Sequence, residues 1–114
     1  PFASRFPFEM RVYPLRHSPF FSKASYAELL SLAENLQAVL TKFKNILSDP
    51  PFNVILHQGP HPGLARKTWP NVESRFHWHL EIIPVLTRLA GFEWGTGFYI
   101  NPVPPELAAS YLRE

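Results

Sequence analysis

Arg75-Phe76-His77-Trp78-His79-Leu80-Glu81-Ile82-Ile83-Pro84 alternates strictly from one residue to the next. A period of two predicts a strand with Phe76, Trp78, Leu80 and Ile82 on one face and His77, His79 and Glu81 on the other. The first face is built for burial, and the second carries chemistry. Side chains two positions apart on a strand stand roughly 6.5–7 Å apart along the chain, near enough for two imidazoles to converge on a metal ion or a phosphate. Two imidazoles and a carboxylate are an odd choice for plain solvent exposure.

Around this strand lie 114 residues, enough for one core and too few for two, so residues 1–114 are expected to form a single domain. A hydrophobic fraction of 46% with ten Phe, four Tyr and three Trp predicts a folded chain. The 13 prolines are roughly double the ~5% of average usage and predict long, stiffened connections. With no cysteine there is no disulfide and no thiolate site, so a metal here takes nitrogen or oxygen ligands from histidine and carboxylate. A reducing compartment is allowed, and the cytoplasm is the expected location. The net charge of +2 comes from Lys and Arg mixed with Asp and Glu, without the dense basic stripe of a nucleic-acid binder. No apolar run approaches the ~20 residues that span a bilayer. Neither nucleic acid nor membrane is an expected partner. The chain starts at Pro1 with its single methionine at Met10, which reads as a processed product or a piece of a longer polypeptide.

Upstream, Phe6 to Pro14 alternates with Phe8, Met10 and Val12 on one side, a strand closed by Pro14. Ser25-Tyr26-Ala27-Glu28 has the spacing of a capping box. Leu29, Leu32, Ala33, Leu36, Val39, Leu40, Phe43, Ile46 and Leu47 then recur at three and four residues. They predict a helix from Tyr26 to Leu47 whose apolar stripe lies across a sheet. Ser48-Asp49-Pro50-Pro51 ends it, and Phe52 to His57 alternates again as a second strand, antiparallel to the first-quoted one, with His57 at its exit. Gln58 to Ser74 reads as a long loop with three prolines. Gly91 to Asn101 reads as aromatic strand material interrupted by glycines, and Pro104-Pro105-Glu106 opens a final short helix. The fold class is α+β: an antiparallel sheet of about four to six strands with the long helix on one face.

His77-Trp78-His79-Leu80-Glu81-Ile82-Ile83 resembles the histidine-triad pattern, His-apolar-His-apolar-His-apolar-apolar, with glutamate in the third histidine position. In that superfamily the third histidine assists phosphate chemistry at the middle one. Glu81 in its place would repel a phosphate or bind a cation. The first strand with Arg16-His17, followed by the long helix, is similar to the first half of a histidine-triad fold. More narrowly, the run from Phe76 through Ala90-Gly91-Phe92-Glu93-Trp94-Gly95-Thr96-Gly97-Phe98-Tyr99-Ile100-Asn101-Pro102 to Leu112-Arg113-Glu114 resembles the carboxy-terminal half of galactose-1-phosphate uridylyltransferases. The related branch that acts on adenylyl sugars as a nucleotide-sugar phosphorylase is similar too, and the likeness covers nearly the whole chain.

That resemblance implies two histidine-triad repeats in one polypeptide, of which this chain is the second. The first carries a His-Pro-His nucleophile. His61-Pro62-Gly63 lacks the second histidine of that motif and lies in a loop, so no catalytic nucleophile is expected here. The resemblance further implies zinc or iron held by His57, His77 and His79 and completed by a carboxylate of the amino-terminal half, with Glu81 or water as the substitute in an isolated chain. Metal affinity of this piece by itself is expected to be weak. Phe92, Glu93, Gly95, Thr96 and Gly97 are the implied substrate contacts, reaching a sugar phosphate across a homodimer interface. The implied substrates are a nucleotide sugar and a hexose 1-phosphate, exchanged by double displacement. The uncovered apolar edge is expected to make the isolated piece dimerise or aggregate.

From spacing alone, the His-x-His pair is equally a metal or phosphate site and an incidental polar face, whereas for Glu93 spacing alone favours a solvated strand residue beside Trp94. Arg66 and Lys67 could hold phosphate but are not placed in the site. His17 and His61 are expected to face solvent. Two other functions stay open: a stand-alone nucleotide hydrolase or transferase with His79 as nucleophile, and a small cupin-like His-x-His metal protein, against which the long helix argues.

Overall fold

A computed structural model describes residues 1–61, 63 and 69–113; Arg66 and Lys67 lie outside the described residues. The histidine strand is the middle of the sheet. It forms β3, His79–Pro84, flanked by β1, Met10–Val12, and β2, Phe52–His57, all antiparallel in the order β1-β3-β2. Met10 pairs with Ile82 and Val12 with Leu80, while Val54 pairs with Ile82, Leu56 with Leu80 and His57 with His79. This register follows from alternation, because a slip of one residue would turn every apolar side chain to the polar face.

The long helix α1 spans Tyr26–Ile46. Ser25 Oγ accepts from the Glu28 N–H and Glu28 accepts from the Ser25 N–H, the capping box that the spacing predicts. Arg16 hydrogen-bonds the Glu28 carboxylate, and with the Ser25 N–H it lowers that carboxyl to about 2. Leu32 of α1 packs with Trp78 and Leu80, and Val12, Phe21, Ala24 and Leu36 close around them. Phe21 meets Trp78 edge to face at 4.9 Å. Phe43 and Ile82 are buried as well.

Three elements depart from the alternation reading, each for a local reason. The sheet has three strands rather than four to six among the described residues. Gly91–Thr96 is helix α3, not strand: Glu93 accepts from the Ala90 N–H, Thr96 Oγ1 donates to the Phe92 carbonyl, and Gly97 at φ 73° closes the turn. The glycines that read as gaps in a strand belong to a helix and its cap. The first strand is short because Phe8 takes φ 58° and the Glu9 carboxylate turns back onto the N–H groups of Arg5 and Phe6. β3 starts at His79 because Val72–Arg75 forms a single helical turn, α2. The last helix, α4, spans Pro105–Tyr111, with proline in its first turn as expected. Lys42 Nζ of α1 donates to the Leu112 carbonyl just beyond it.

Ser18 and Pro19 form a strap that aligns the histidine segment. The Ser18 N–H donates to Phe76 O and the Trp78 N–H to Ser18 O, while the Gly59 N–H donates to Pro19 O. A Cβ at Gly59 would sit 2.8 Å from Pro19 Cβ, a rigid ring that cannot swing aside. Gly59→Ala is therefore expected to cost about 1–3 kcal/mol by overpacking. Thermal unfolding measures this, and an unchanged midpoint would show that the strap does not bear on Gly59.

β2 is an edge strand, left uncovered by the described residues. Phe52, Val54, Ile55 and Leu56 are 39–46% exposed on both faces, beside a row of outward backbone groups. Such a strand is a template for further pairing.

Candidate functional site

Because Met10 and Val12 turn to the core, Glu9, Arg11 and Tyr13 fall on the opposite face, where β3 presents His79 and Glu81 and β2 presents His57. The imidazole of His79 is the centre of a stack. Its ring lies 4.8 Å from that of His57 at 16° and 4.7 Å from that of Tyr13 at 28°. His79 Nδ1 lies 3.1 Å from the His77 carbonyl. A carbonyl only accepts, so Nδ1 carries a proton and Nε2 is the ring nitrogen left free of that bond.

His57 Nε2 lies 3.1 Å from Glu81 Oε2 and donates to that carboxylate. Glu81 Oε1 accepts from Arg11 Nη2 at 2.8 Å. Arg11 also sets Nε and Nη2 on Glu9 Oε1 at 3.1 and 2.8 Å. Burial works against charge on Glu81, but the hydrogen bond from His57 and the charge and hydrogen bond of Arg11 outweigh it and hold the carboxyl below its ordinary range. The carboxylates of Glu9 and Glu81 in turn raise the Arg11 guanidinium further. Glu81 is thus paired in place, although it shares the single Arg11 charge with Glu9, so the repulsion of a phosphate expected from a bare glutamate is reduced and not removed.

His57 and His79 share an open recess of about 420 Å³, lined also by Gln58, Pro60, Trp69 and Phe76. Phe76, read from alternation as a core residue, closes α2 instead and turns toward this recess, its ring 6.2 Å from His79. His77 does not line it. The Nδ1–H of His77 donates to the Pro14 carbonyl at 2.9 Å, and its ring packs at 4.3 Å against His17, which is exposed as expected but not free of contact. His61 accepts from the Gly63 N–H in the loop. Phe92, Glu93, Gly95, Thr96 and Gly97 lie on and just after α3 and line no part of the His57–His79 recess. Phe92 and Trp94 are 53% and 78% exposed, an aromatic surface turned outward.

Zinc or iron would make a definite geometric demand on this donor set. Coordination needs in-plane lone pairs that meet at one point about 2.1 Å from each nitrogen. Here the rings of His57 and His79 are nearly parallel, the Glu81-facing nitrogen of His57 carries a proton, and His77 is turned to the strap. Among the described residues, no group of three or more His, Cys, Asp or Glu side chains could hold a metal ion. The residues of this chain, as arranged, do not fit a three-imidazole centre.

Reading β3 by itself missed Arg11, Glu9, Tyr13 and Trp69. The first three had a legible signal: once Phe8, Met10 and Val12 are set on one face, Glu9-x-Arg11-x-Tyr13 must share the other.

No protein-family model matches the chain. It is 39% identical over 114 residues to an ADP-glucose phosphorylase of Arabidopsis thaliana, covering all of this chain and 31% of that protein. It is 34% identical over 121 residues to a galactose-1-phosphate uridylyltransferase of Thermotoga maritima, covering all of this chain and 36% of that protein. The crystal structure of an Arabidopsis thaliana ADP-glucose phosphorylase with bound ADP-glucose superposes with TM-score 0.88 and 38% identity over all of this chain and 35% of that one. The chain thus spans about a third of the length of the curated relatives it matches.

Proposed function

Homologues of the galactose-1-phosphate uridylyltransferase family cover this chain from end to end, and it matches the C-terminal part of those longer proteins; on that premise we propose that it is the C-terminal domain of an enzyme that transfers a nucleotidyl group between sugar phosphates. The observation that carries this reading is the superposition of the whole chain, at TM-score 0.88, on a phosphorylase holding ADP-glucose. The activity would be a double displacement, with the nucleophilic histidine outside residues 1–114 and a nucleotide sugar and a phosphate or hexose 1-phosphate as substrates.

This domain's part is to bind and to support. The exposed α3 segment, with Phe92 and Glu93, would contact the hexose of a second subunit in a homodimer, in keeping with its absence from the lining of the His57–His79 recess. The apolar edge of β2 would be covered by the remainder of the polypeptide. The test is single-turnover kinetics of the full-length protein with Glu93→Gln. A charged hydrogen bond is worth about 1.5–3 kcal/mol, so the apparent affinity for the hexose phosphate, and for the nucleotide sugar whose hexose shares that subsite, should fall by about 10–100-fold. An unchanged affinity would remove Glu93 from the sugar site.

A second reading has one specific observation behind it. His79 is anchored through Nδ1 and borders the recess, as a stand-alone nucleophile would be. Peptide mapping of the trapped nucleotidyl-enzyme separates the two: label on His79 favours this reading, and label on a histidine outside residues 1–114 favours the first.

A further inference from the structure

We propose that Arg11 is the resident cation of the polar sheet face: its guanidinium bridges Glu9 and Glu81 where a metal ion would otherwise gather the carboxylate and the imidazoles, and it makes the His57–His79 pair independent of metal. Register places it there. Arg11 lies directly opposite Glu81 in the β1–β3 ladder, so the bridge needs no long reach and follows from the same pairing that builds the core. The planar fork sets Nε and Nη2 on Glu9 and shares Nη2 with Glu81, with contacts of 2.8–3.1 Å. A guanidinium is charged at every working pH and suits bidentate carboxylate geometry.

The rest of the face agrees with this arrangement. Glu81 spends one oxygen on Arg11 and the other on the Nε2–H of His57. A metal ion on Glu81 would have to displace a proton from His57 and face the positive guanidinium at close range. His57, held through Glu81, lies nearly parallel to His79, so while that bond holds, its in-plane nitrogens do not aim at the same point as those of His79. Arg11 is therefore a positioning residue. It acts on His79 through Glu81 and His57 without touching the recess, whose lining does not include it.

The test uses the full-length protein and does not depend on turnover, so its failure is separable from failure of the transferase reading. Zinc per chain is measured by elemental analysis after equilibration with zinc and gel filtration. Wild type and a His57→Ala/His79→Ala variant should hold the same zinc. Arg11→Met, which removes the cation, should gain about one zinc per chain, lost again when His57→Ala is added, while Arg11→Lys should stay at the wild-type level. A wild type that loses zinc with the two histidines, or an Arg11→Met protein that gains none, overturns the proposal. Should Arg11→Met fail to fold, imidazole nitrogen NMR of wild type decides. The His57 Nε2–H signal should be present and unmoved by zinc or by a chelator, and a spectrum that changes with metal overturns the proposal.

Discussion

Trp78→Ala is expected to cost about 3–5 kcal/mol, against the ~5–15 kcal/mol of a typical domain. Trp78 is 2% exposed and stands at the junction of the sheet, α1 and the turn at Phe21. Little else can fill its place, because among the described residues the buried cluster around it holds only Leu32 and Leu80. The substitution should also disturb the site, since the Trp78 backbone binds the strap through Ser18 and its chain neighbours are His77 and His79. Trp78→Phe should be far milder. The indole Nε1 is buried with no hydrogen-bond partner among the described residues, so phenylalanine loses volume but no hydrogen bond. Urea titration followed by circular dichroism measures both. A loss below about 1 kcal/mol for alanine, outside the range for large core truncations, would place the core elsewhere.

Glu9→Ala should have the second large effect. The Glu9 side chain is fully buried, yet each of its oxygens is used: Oε2 accepts from the N–H groups of Arg5 and Phe6, and Oε1 from two nitrogens of Arg11. Alanine leaves two backbone donors without partners, and each orphaned donor costs about 1–3 kcal/mol. Arg11 is 34% exposed and can turn to water, so its share is small. The expected loss is about 2–5 kcal/mol. Glu9→Gln keeps an acceptor for the backbone groups and should recover much of it. Equal costs for the two variants would mean that the charge, and not the turn at residues 5–9, is what Glu9 supplies.

Alternation in Phe52–His57 and His79–Pro84, the three-and-four spacing of the α1 stripe, the Ser25–Glu28 cap and the proline at the start of α4 were all readable, because each depends on neighbours within a few residues. The Gly91–Thr96 segment was misread for an equally local reason. Aromatic residues favour strand, but a Glu93 carboxylate on the Ala90 N–H and a left-handed Gly97 outweigh that preference over one short helix. β1 starts late, at Met10 rather than Phe6, because Glu9 bonds to backbone behind it, which period-two patterning does not register.

What the amino-acid order settled is which residues share a face: His79 and Glu81 on one side of β3, Trp78, Leu80 and Ile82 on the other. Which nitrogen of each imidazole is spoken for depended on the packed chain, since Pro14, Arg11, Tyr13 and His17 come from up to 70 residues away. Strand periodicity is a property of the backbone and travels with the sequence. The direction of a histidine ring depends on whichever carbonyl or carboxylate the fold brings beside it, and that partner exists only once the strands have paired.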